Sequence, residues 1–371
     1  VQPALAIAAD LADHGVQAVF LGETYGLEAR TVRQHGFTVC AAPAAPELSR
    51  PFRSAANALS MLRLPLCVLR SAWALMHAAP DVVLGMGGRS SAPTCVAAVL
   101  LGIPLVLYEM NALAGPANRA LHLLARRTLL AYEQAREGFR LPDRCQVVGA
   151  AVRPDVLAKR SRRKARKALR LPAQARVLLV LGGADGCGYL NACVHNALPQ
   201  LVSVPGLQVL WQTGHRQFPG YAAGYAAECP NIRVVPYVDD IGNALAAADL
   251  VLSRAGPATV AELRATGVPS VLVPSPATHE EQQTANAGVL GALAPLIGQD
   301  ADFKRTRPSG IAEVAPQVDV DEIGIAGRLL PLLAPDSKRL AAMRAAVAAC
   351  APECTAPAAR VREAVLKEIK P

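Results

Sequence analysis

A short apolar run, a glycine-bearing loop and a helix-length stretch recur along this chain, and that alternation most constrains its fold. In the first half, apolar runs of strand length fall at Val16–Leu21, Val82–Leu84, Pro104–Leu107, Thr128–Ala131 and Gln146–Val148. Helix-like segments separate them. Pro3 to His14 is one, with proline near its first turn and Gly15 just past its end. The pattern breaks between Pro154 and Pro172, where basic residues crowd from Lys159 to Arg170. It restarts at Val177–Leu181, Val209–Trp211, Ile232–Val235, Leu250–Leu252 and Val271–Val273. Short, continuously apolar strands alternating with helices imply parallel sheets covered on both faces. The expectation is an α/β chain of two units in series, with a boundary near residue 152 and a cleft between them. In such sheets ligands sit beyond the carboxyl ends of the strands, so chemistry belongs on the loops that follow strands.

Composition narrows the partners. With 52% hydrophobic and 18% charged residues, disorder is excluded as the main state of the 371 residues. The formal charge of +9 favours anions: phosphates, acidic lipid surfaces or nucleic acid. The basic run from Lys159 to Arg170 lacks aromatic interleaving and any RNA-binding motif, so it reads as a solvated helix face and not as a nucleic-acid site. The longest nearly unbroken apolar run, Cys95 to Leu107, is too short to span a bilayer and is interrupted by Gly102 and Pro104. No basic-then-apolar leader pattern is visible, although the sequence opens on Val1 and not on Met. Nine cysteines form no CxxC pair, and Cys350 and Cys354 lack accompanying ligands, so they read as free thiols and no metal site is expected.

Five loops could carry chemistry. Gly182-Gly183-Ala184-Asp185-Gly186 joins a strand to a helix and lets backbone approach an anion; it could equally be a tight turn, and Asp185 argues against a phosphate close by. Arg254-Ala255-Gly256-Pro257-Ala258-Thr259 follows another strand and runs into a helix carrying Glu262. Thr259 could cap the helix or meet a phosphate oxygen. Glu262 could accept both hydroxyls of a ribose, or simply suit the helix dipole. Gly85 to Pro93, containing Gly87, Gly88 and Ser90, could hold the phosphate of a second substrate. Glu109 and Asn111 end a strand; Glu109 is a base, a hydroxyl acceptor or a turn-stabilising carboxylate. Gln282, Gln283 and Asn286 offer amides, which both donate and accept and therefore suit sugar hydroxyls.

Assembled, these motifs resemble the MurG family of bacterial peptidoglycan N-acetylglucosaminyltransferases. The resemblance is carried by Pro80 to Gly88, Leu101 to Asn111, Ala114-Gly115 with Asn118-Arg119, Val148 to Arg153, Asp239-Asp240, Arg254 to Glu262, and Gln282 to Ala287. It implies the GT-B fold, two Rossmann-like doubly wound domains facing a central cleft. The domains would be an acceptor- and membrane-facing 1–152, a UDP-GlcNAc-binding 153–340, and a C-terminal helix in 341–371 returning to the first domain. It implies an inverting transfer of GlcNAc from UDP-GlcNAc to the C4 hydroxyl of lipid I, giving lipid II, without cofactor or nucleotide-bound metal. By position, Asn111 and Arg153 would contact the donor and the Val238 backbone would lie against uracil. Gly256, Pro257, Ala258 and Thr259 would hold the diphosphate, Glu262 the ribose, and Gln282 and Gln283 the sugar. Gly87, Gly88 and Ser90 would form the acceptor loop, with Glu109 the catalytic candidate.

Some positions depart from the family pattern. Its Gly-Gly-Thr-Gly-Gly-His loop, whose His is a candidate base, precedes the segment matching Val1 and is not among the 371 residues, nor is the first strand. Ala184 replaces a serine that donates to the donor, a bond worth on the order of 1 kcal/mol. Asp185, Tyr108 and Met110 replace Gln, His and Gln. A different UDP-sugar transferase of the same fold, or an inactive UDP-sugar-binding protein, remain as alternatives. A lipid-linked acceptor implies a peripheral position on the cytoplasmic face of the inner membrane. Ser49 to Met76 mixes arginines with Phe52, Leu66, Leu69 and Trp73 as an interfacial segment on anionic lipid would, with Pro65 dividing it.

Overall fold

The computed structural model describes residues 1–46, 62–224, 228–275, 280–291, 310–350 and 356–369. The chain divides into two compact units, Val1–Arg153 with Thr355–Pro371, and Pro154–Cys354.

The first unit opens with α1 (Gln2–Asp13), β1 (Val19–Gly22), α2 (Leu27–Gln34) and β2 (Thr38–Ala41). It continues with α3 (Leu64–Ala78), β3 (Val83–Gly85), α4 (Gly88–Leu100), β4 (Leu105–Glu109), α5 (Pro116–Leu121), β5 (Arg127–Leu130) and β6 (Cys145–Val147). β1 pairs with β2, and β3-β4-β5-β6 form a separate sheet in that order, all parallel. β4 is buried on both faces, as its unbroken Leu-Val-Leu-Tyr run requires. Leu105 and Leu107 pack with Cys95 and Leu121 on one side. Leu75, Ala97 and Ala98 hold α3 against α4.

Pro65 marks the start of α3, and the described residues directly before Leu64 are a turn, so the helix does not extend back beyond Leu64. The proline stands in the first helical turn, where its missing N–H costs nothing, and the helix runs on to Ala78. The part of the expected interfacial segment that holds Arg50, Phe52 and Arg53 lies outside the described residues.

The second unit contains α6 (Pro154–Leu157), α7 (Arg162–Ala168), β7 (Arg176–Leu181), α8 (Gly188–Val202), β8 (Leu207–Gln212), α9 (Phe218–Tyr221) and β9 (Ile232–Val235). Then come α10 (Ile241–Ala247), β10 (Leu250–Ser253), α11 (Pro257–Thr266), β11 (Ser270–Leu272), α12 (Glu280–Gly291), β12 (Ala312–Val314), α13 (Gln317–Leu333) and α14 (Lys338–Cys350). Its strands form one parallel sheet ordered β12-β11-β10-β7-β8-β9. Leu178, Val180, Leu190, Leu198, Trp211, Leu252 and Leu329 are all fully buried in its core.

The segment 341–371, expected as a single C-terminal helix, holds parts of two. α14 starts at Lys338 and stays with the second unit, whereas α15 (Pro357–Leu366) packs on α1 in the first. Two strands, β2 and β12, were not anticipated. Both are short edge strands, and β12 buries Glu313 by pairing it with Arg339, so neither carries the continuous apolar run by which inner strands are read.

Candidate functional site

Strand order in the second unit reverses between β7 and β10, so the loops after these neighbours leave in opposite directions and open a crevice. Register places the crevice rim. Leu181 pairs with both Gln212 and Ser253, Gln212 with Val235, and Ser253 with Leu272. These five residues form one row across the carboxyl ends of the strands, and the loops following them emerge side by side. The expected second-unit residues Ala184, Val238 and Gly256 to Thr259 all stand on these loops or the helix start they lead into.

The loop after β10 becomes a helix for local reasons. Gly256 is extended, Pro257 occupies the first turn, and no side chain caps the N-terminus. Its first N–H groups are therefore free of intrahelical partners and of a side-chain cap. The helix ends at Gly267, whose left-handed φ of 66° lets its N–H reach the Leu263 carbonyl at 2.8 Å. Ala258 and Thr259 are half-buried, and Glu262, three residues beyond Thr259 on the same helix face, is buried. Backbone N–H groups and a dipole aimed outward, with a carboxylate one turn in, suit a phosphorylated ligand that also carries a diol.

A set of buried amides that the sequence did not reveal braces this rim. The Gln212 carboxamide donates to the Gly183 carbonyl at 2.9 Å and accepts the Val238 N–H at 2.9 Å. One side chain thus ties the loop after β7 to the loop after β9. Asn191 donates to the Thr213 carbonyl at 2.8 Å and to Gln217 at 2.9 Å, and accepts from the Trp211 indole at 3.0 Å. Gly186 and Gly214 bring the loops after β7 and β8 into backbone contact; a Cβ on Gly186 would lie 2.2 Å from the Thr213 oxygen. The available signal for Gln212 was a polar side chain directly after an apolar strand.

Arg254, at the start of the loop after β10, acts as a strut. It donates to the carbonyls of Val273 at 3.0 Å and Pro274 at 2.8 Å, and its Nε–H donates to the Cys187 sulfur at 3.0 Å. Its guanidinium lies 5.1 Å from the centre of the Tyr189 ring. α12 is fastened to the same rim. Gln283 accepts the Ser275 N–H at 2.9 Å, and Asn286 donates to the Ala255 carbonyl at 3.2 Å. Gln282 is half-buried beside Gln283.

In the first unit the carboxylate at the end of β4 is committed. Glu109 Oε1 accepts from the Asn111 backbone at 2.9 Å and its side chain at 2.8 Å; Oε2 accepts from the Gly115 N–H and the Asn118 amide, each at 2.9 Å. Glu109 is 2% exposed. Four donors surround its two oxygens, so in this arrangement the carboxylate braces the turn that carries Asn111. Asn118 also lies against Gly87, where a Cβ would stand 2.9 Å from its amide nitrogen. Gly87 and Gly88 both adopt positive φ at the start of α4, and Ser90 is exposed in its first turn. Tyr108 donates to the Gly149 carbonyl at 2.7 Å and accepts the Ala151 N–H at 2.8 Å, fixing the segment that leads to the half-buried Arg153. Burial pushes the Tyr108 phenol well above its ordinary range, so it stays a neutral donor. Among the described residues, no group of three or more His, Cys, Asp or Glu is placed to hold a metal ion.

Comparison with known proteins supplies the chemistry. Residues 1–130 match the glycosyltransferase family 28 N-terminal domain, and residues 177–302 its C-terminal domain. A UDP-N-acetylglucosamine–N-acetylmuramyl-(pentapeptide) pyrophosphoryl-undecaprenol N-acetylglucosamine transferase of Salinibacter ruber is 38% identical over 290 residues, 77% of each chain. A protein of the same name from Acidithiobacillus ferrooxidans is 34% identical over 338 residues, 91% of this chain and 87% of its own. The crystal structure of Acinetobacter baumannii MurG superposes with a TM-score of 0.67 and 25% identity, covering 98% of this chain and 95% of that one. A UDP-GlcNAc 2-epimerase from Neisseria meningitidis, bound to UDP-GlcNAc, shares the fold at 13% identity and a TM-score of 0.64, covering 99% and 98%.

Proposed function

Because this chain belongs to the family of MurG N-acetylglucosamine transferases and has the GT-B fold, we propose that it moves N-acetylglucosamine from UDP-GlcNAc to the C4 hydroxyl of the muramyl sugar in lipid I, yielding lipid II and UDP. The observation that carries this reading is the uncapped start of α11 at the β7/β10 switch point, with buried Glu262 one turn inside. In the reaction the bond from the anomeric carbon to the diphosphate oxygen breaks and a bond from that carbon to the acceptor oxygen forms. Negative charge grows on the departing diphosphate. N–H groups at the start of α11 and the Thr259 hydroxyl meet that charge without a metal. Glu262 accepts from the ribose hydroxyls, the Val238 backbone lies along the uracil edge, and Gln282 and Gln283 hold the sugar. The acceptor proton goes to a base; Glu109, with every lone pair engaged, is not that base.

A peripheral position on the cytoplasmic face of the inner membrane is part of this proposal. Leu62, Leu66, Leu69, Trp73 and Met76 are all exposed and recur at helical spacing along α3 and its entry, flanked by exposed Arg63 and Arg70. An apolar stripe rimmed by cations suits anionic lipid. No helix among the described residues is long and apolar enough to cross a membrane.

The test is transfer of labelled GlcNAc to a lipid I analogue in the presence of EDTA. Product is expected, and Glu262→Ala raises the KM for UDP-GlcNAc at least roughly tenfold, as the loss of charge-assisted hydrogen bonds predicts. A strict requirement for added divalent metal, or an unchanged KM in the variant, overturns the reading of the site.

A further inference from the structure

At the opposite end of the second unit's sheet lies a cavity of about 480 Å³ that the transfer reaction does not use. Arg176 opens β7 and Asp249 immediately precedes β10, so the cavity sits at the amino ends of the two strands whose carboxyl ends frame the donor site. With six residues in β7, the two ends are roughly 20 Å apart.

Four cations line the cavity, Arg166, Arg176, Lys338 and Arg344, against two carboxylates, Asp249 and Asp336. Asp249 has nothing left to give. Its Oδ1 accepts from Arg162 at 2.9 Å and Arg344 at 2.6 Å, and its Oδ2 from Arg166 at 2.7 Å and the Val177 N–H at 2.9 Å. Three guanidinium groups therefore share one carboxylate. Burial lowers the pKa of Arg166, Asp249 pulls it back up, and the neighbouring charges of Arg162 and Arg344 lower it. The start of α14 adds to the same wall: Ser337 accepts the Leu340 N–H at 3.2 Å, and Lys338 occupies the first helical position.

We infer that this cavity is a second anion site that binds a small organic phosphate carrying at least two negative charges, independently of the nucleotide. Arg166 is spent on Asp249 and on the Ala247 and Ala173 carbonyls. The guanidinium forks of Arg176 and Arg344 match phosphate oxygens in pairs, Lys338 supplies a point charge, and the volume admits a ligand the size of a phosphorylated sugar. A ligand there ties the α13–α14 junction to the base of the sheet, where Arg176 already donates to the Leu333 carbonyl.

The experiment titrates inorganic pyrophosphate into protein saturated with UDP, followed by calorimetry. One pyrophosphate is expected to bind although the nucleotide site is full. Lys338→Ala should weaken it measurably, and Lys338→Ala with Arg344→Ala by at least roughly tenfold, with UDP affinity unchanged. Lys338 is exposed, and Asp249 keeps Arg162, Arg166 and the Val177 amide in the double variant, so both proteins should retain their unfolding temperature without ligand. Absence of binding to UDP-saturated protein, equal affinity in the variants, or equal response to chloride at matched ionic strength overturns the inference. If the protein binds no UDP but still binds pyrophosphate in a Lys338-dependent way, the anion site stands and the nucleotide reading falls.

Discussion

Gln212 joins two loops with one side chain, and its replacement separates their contribution from that of residues facing the ligand. In Gln212→Leu both hydrogen bonds vanish and the Val238 amide loses its acceptor, which costs about 1–3 kcal/mol. The loops after β7 and β9 then lose their common tether. UDP should bind roughly tenfold more weakly by calorimetry, while Gln212→Glu, which keeps the acceptor for Val238, should lie between the two. Equal affinity in all three proteins would show that the rim holds without the amide. His122 is a second residue whose role is visible only in three dimensions. It accepts the Leu141 N–H on Nε2 at 3.2 Å, which leaves Nδ1 to donate to Thr128 at 2.8 Å. Burial lowers its pKa below the ordinary 6.5, and the charge of Arg144 adds to this. As pH falls through the unfolded value, the unfolded chain takes up the proton first. The stabilisation is therefore whole above about 6.5 and is lost progressively below it. Melting temperature should fall between pH 7 and 5.5, and His122→Asn should flatten that slope. The residues around Thr259 and Glu262 were legible because a strand, a glycine and a proline announce such a loop locally. Gln212, Asn191 and His122 were not, because the partners that give each its role lie on other elements.

At the scale of elements, α3 does two things with two faces. Leu75 is fully buried against Ala97 and Ala98 of α4, while Leu69 is 66% and Trp73 61% exposed. Replacing Leu69 and Trp73 with serine leaves the packed face untouched, so fold and UDP affinity should persist. Binding to vesicles containing anionic phospholipid should drop at least severalfold in sedimentation, because each large apolar side chain withdrawn from the interface forfeits about 1.5–3 kcal/mol at most. Undiminished sedimentation would remove α3 from the membrane face. Inner strands such as β4 and β7 were readable because two buried faces demand an unbroken apolar run. β2 and β12 were not: an edge strand buries less, and β12 carries Glu313, whose carboxyl burial pushes up and Arg339 pulls back down. The proline of α3 was readable: the helix begins beside it, at Leu64, as a proline in the first turn requires.

For the whole molecule, the question is which unit the last helix serves. Each unit carries its own parallel sheet and core, and the chain crosses between them at Arg153 and returns near Thr355. α15 inserts fully buried Val361 and nearly buried Ala364 and Val365 into the first unit. Its Arg362 pairs with Asp10 of α1 at 2.9 Å, and Glu368 beyond it pairs with Arg127 at 3.0 Å. Pro357 lies against Gly149, where a Cβ would stand 3.3 Å from its ring. Removing everything after residue 354 takes away the two valines, worth about 1.5–3 kcal/mol each, and exposes the face of α1 they cover. That loss is comparable to the entire stability of a small domain, about 5–15 kcal/mol. The second unit, whose core includes α13 and α14 but no part of α15, loses nothing. Calorimetric unfolding of residues 1–354 should therefore retain the transition that UDP shifts upward and lose, or move down by many degrees, the one that UDP leaves alone. A single transition displaced as a whole would mean that the two units unfold together and that α15 stabilises both.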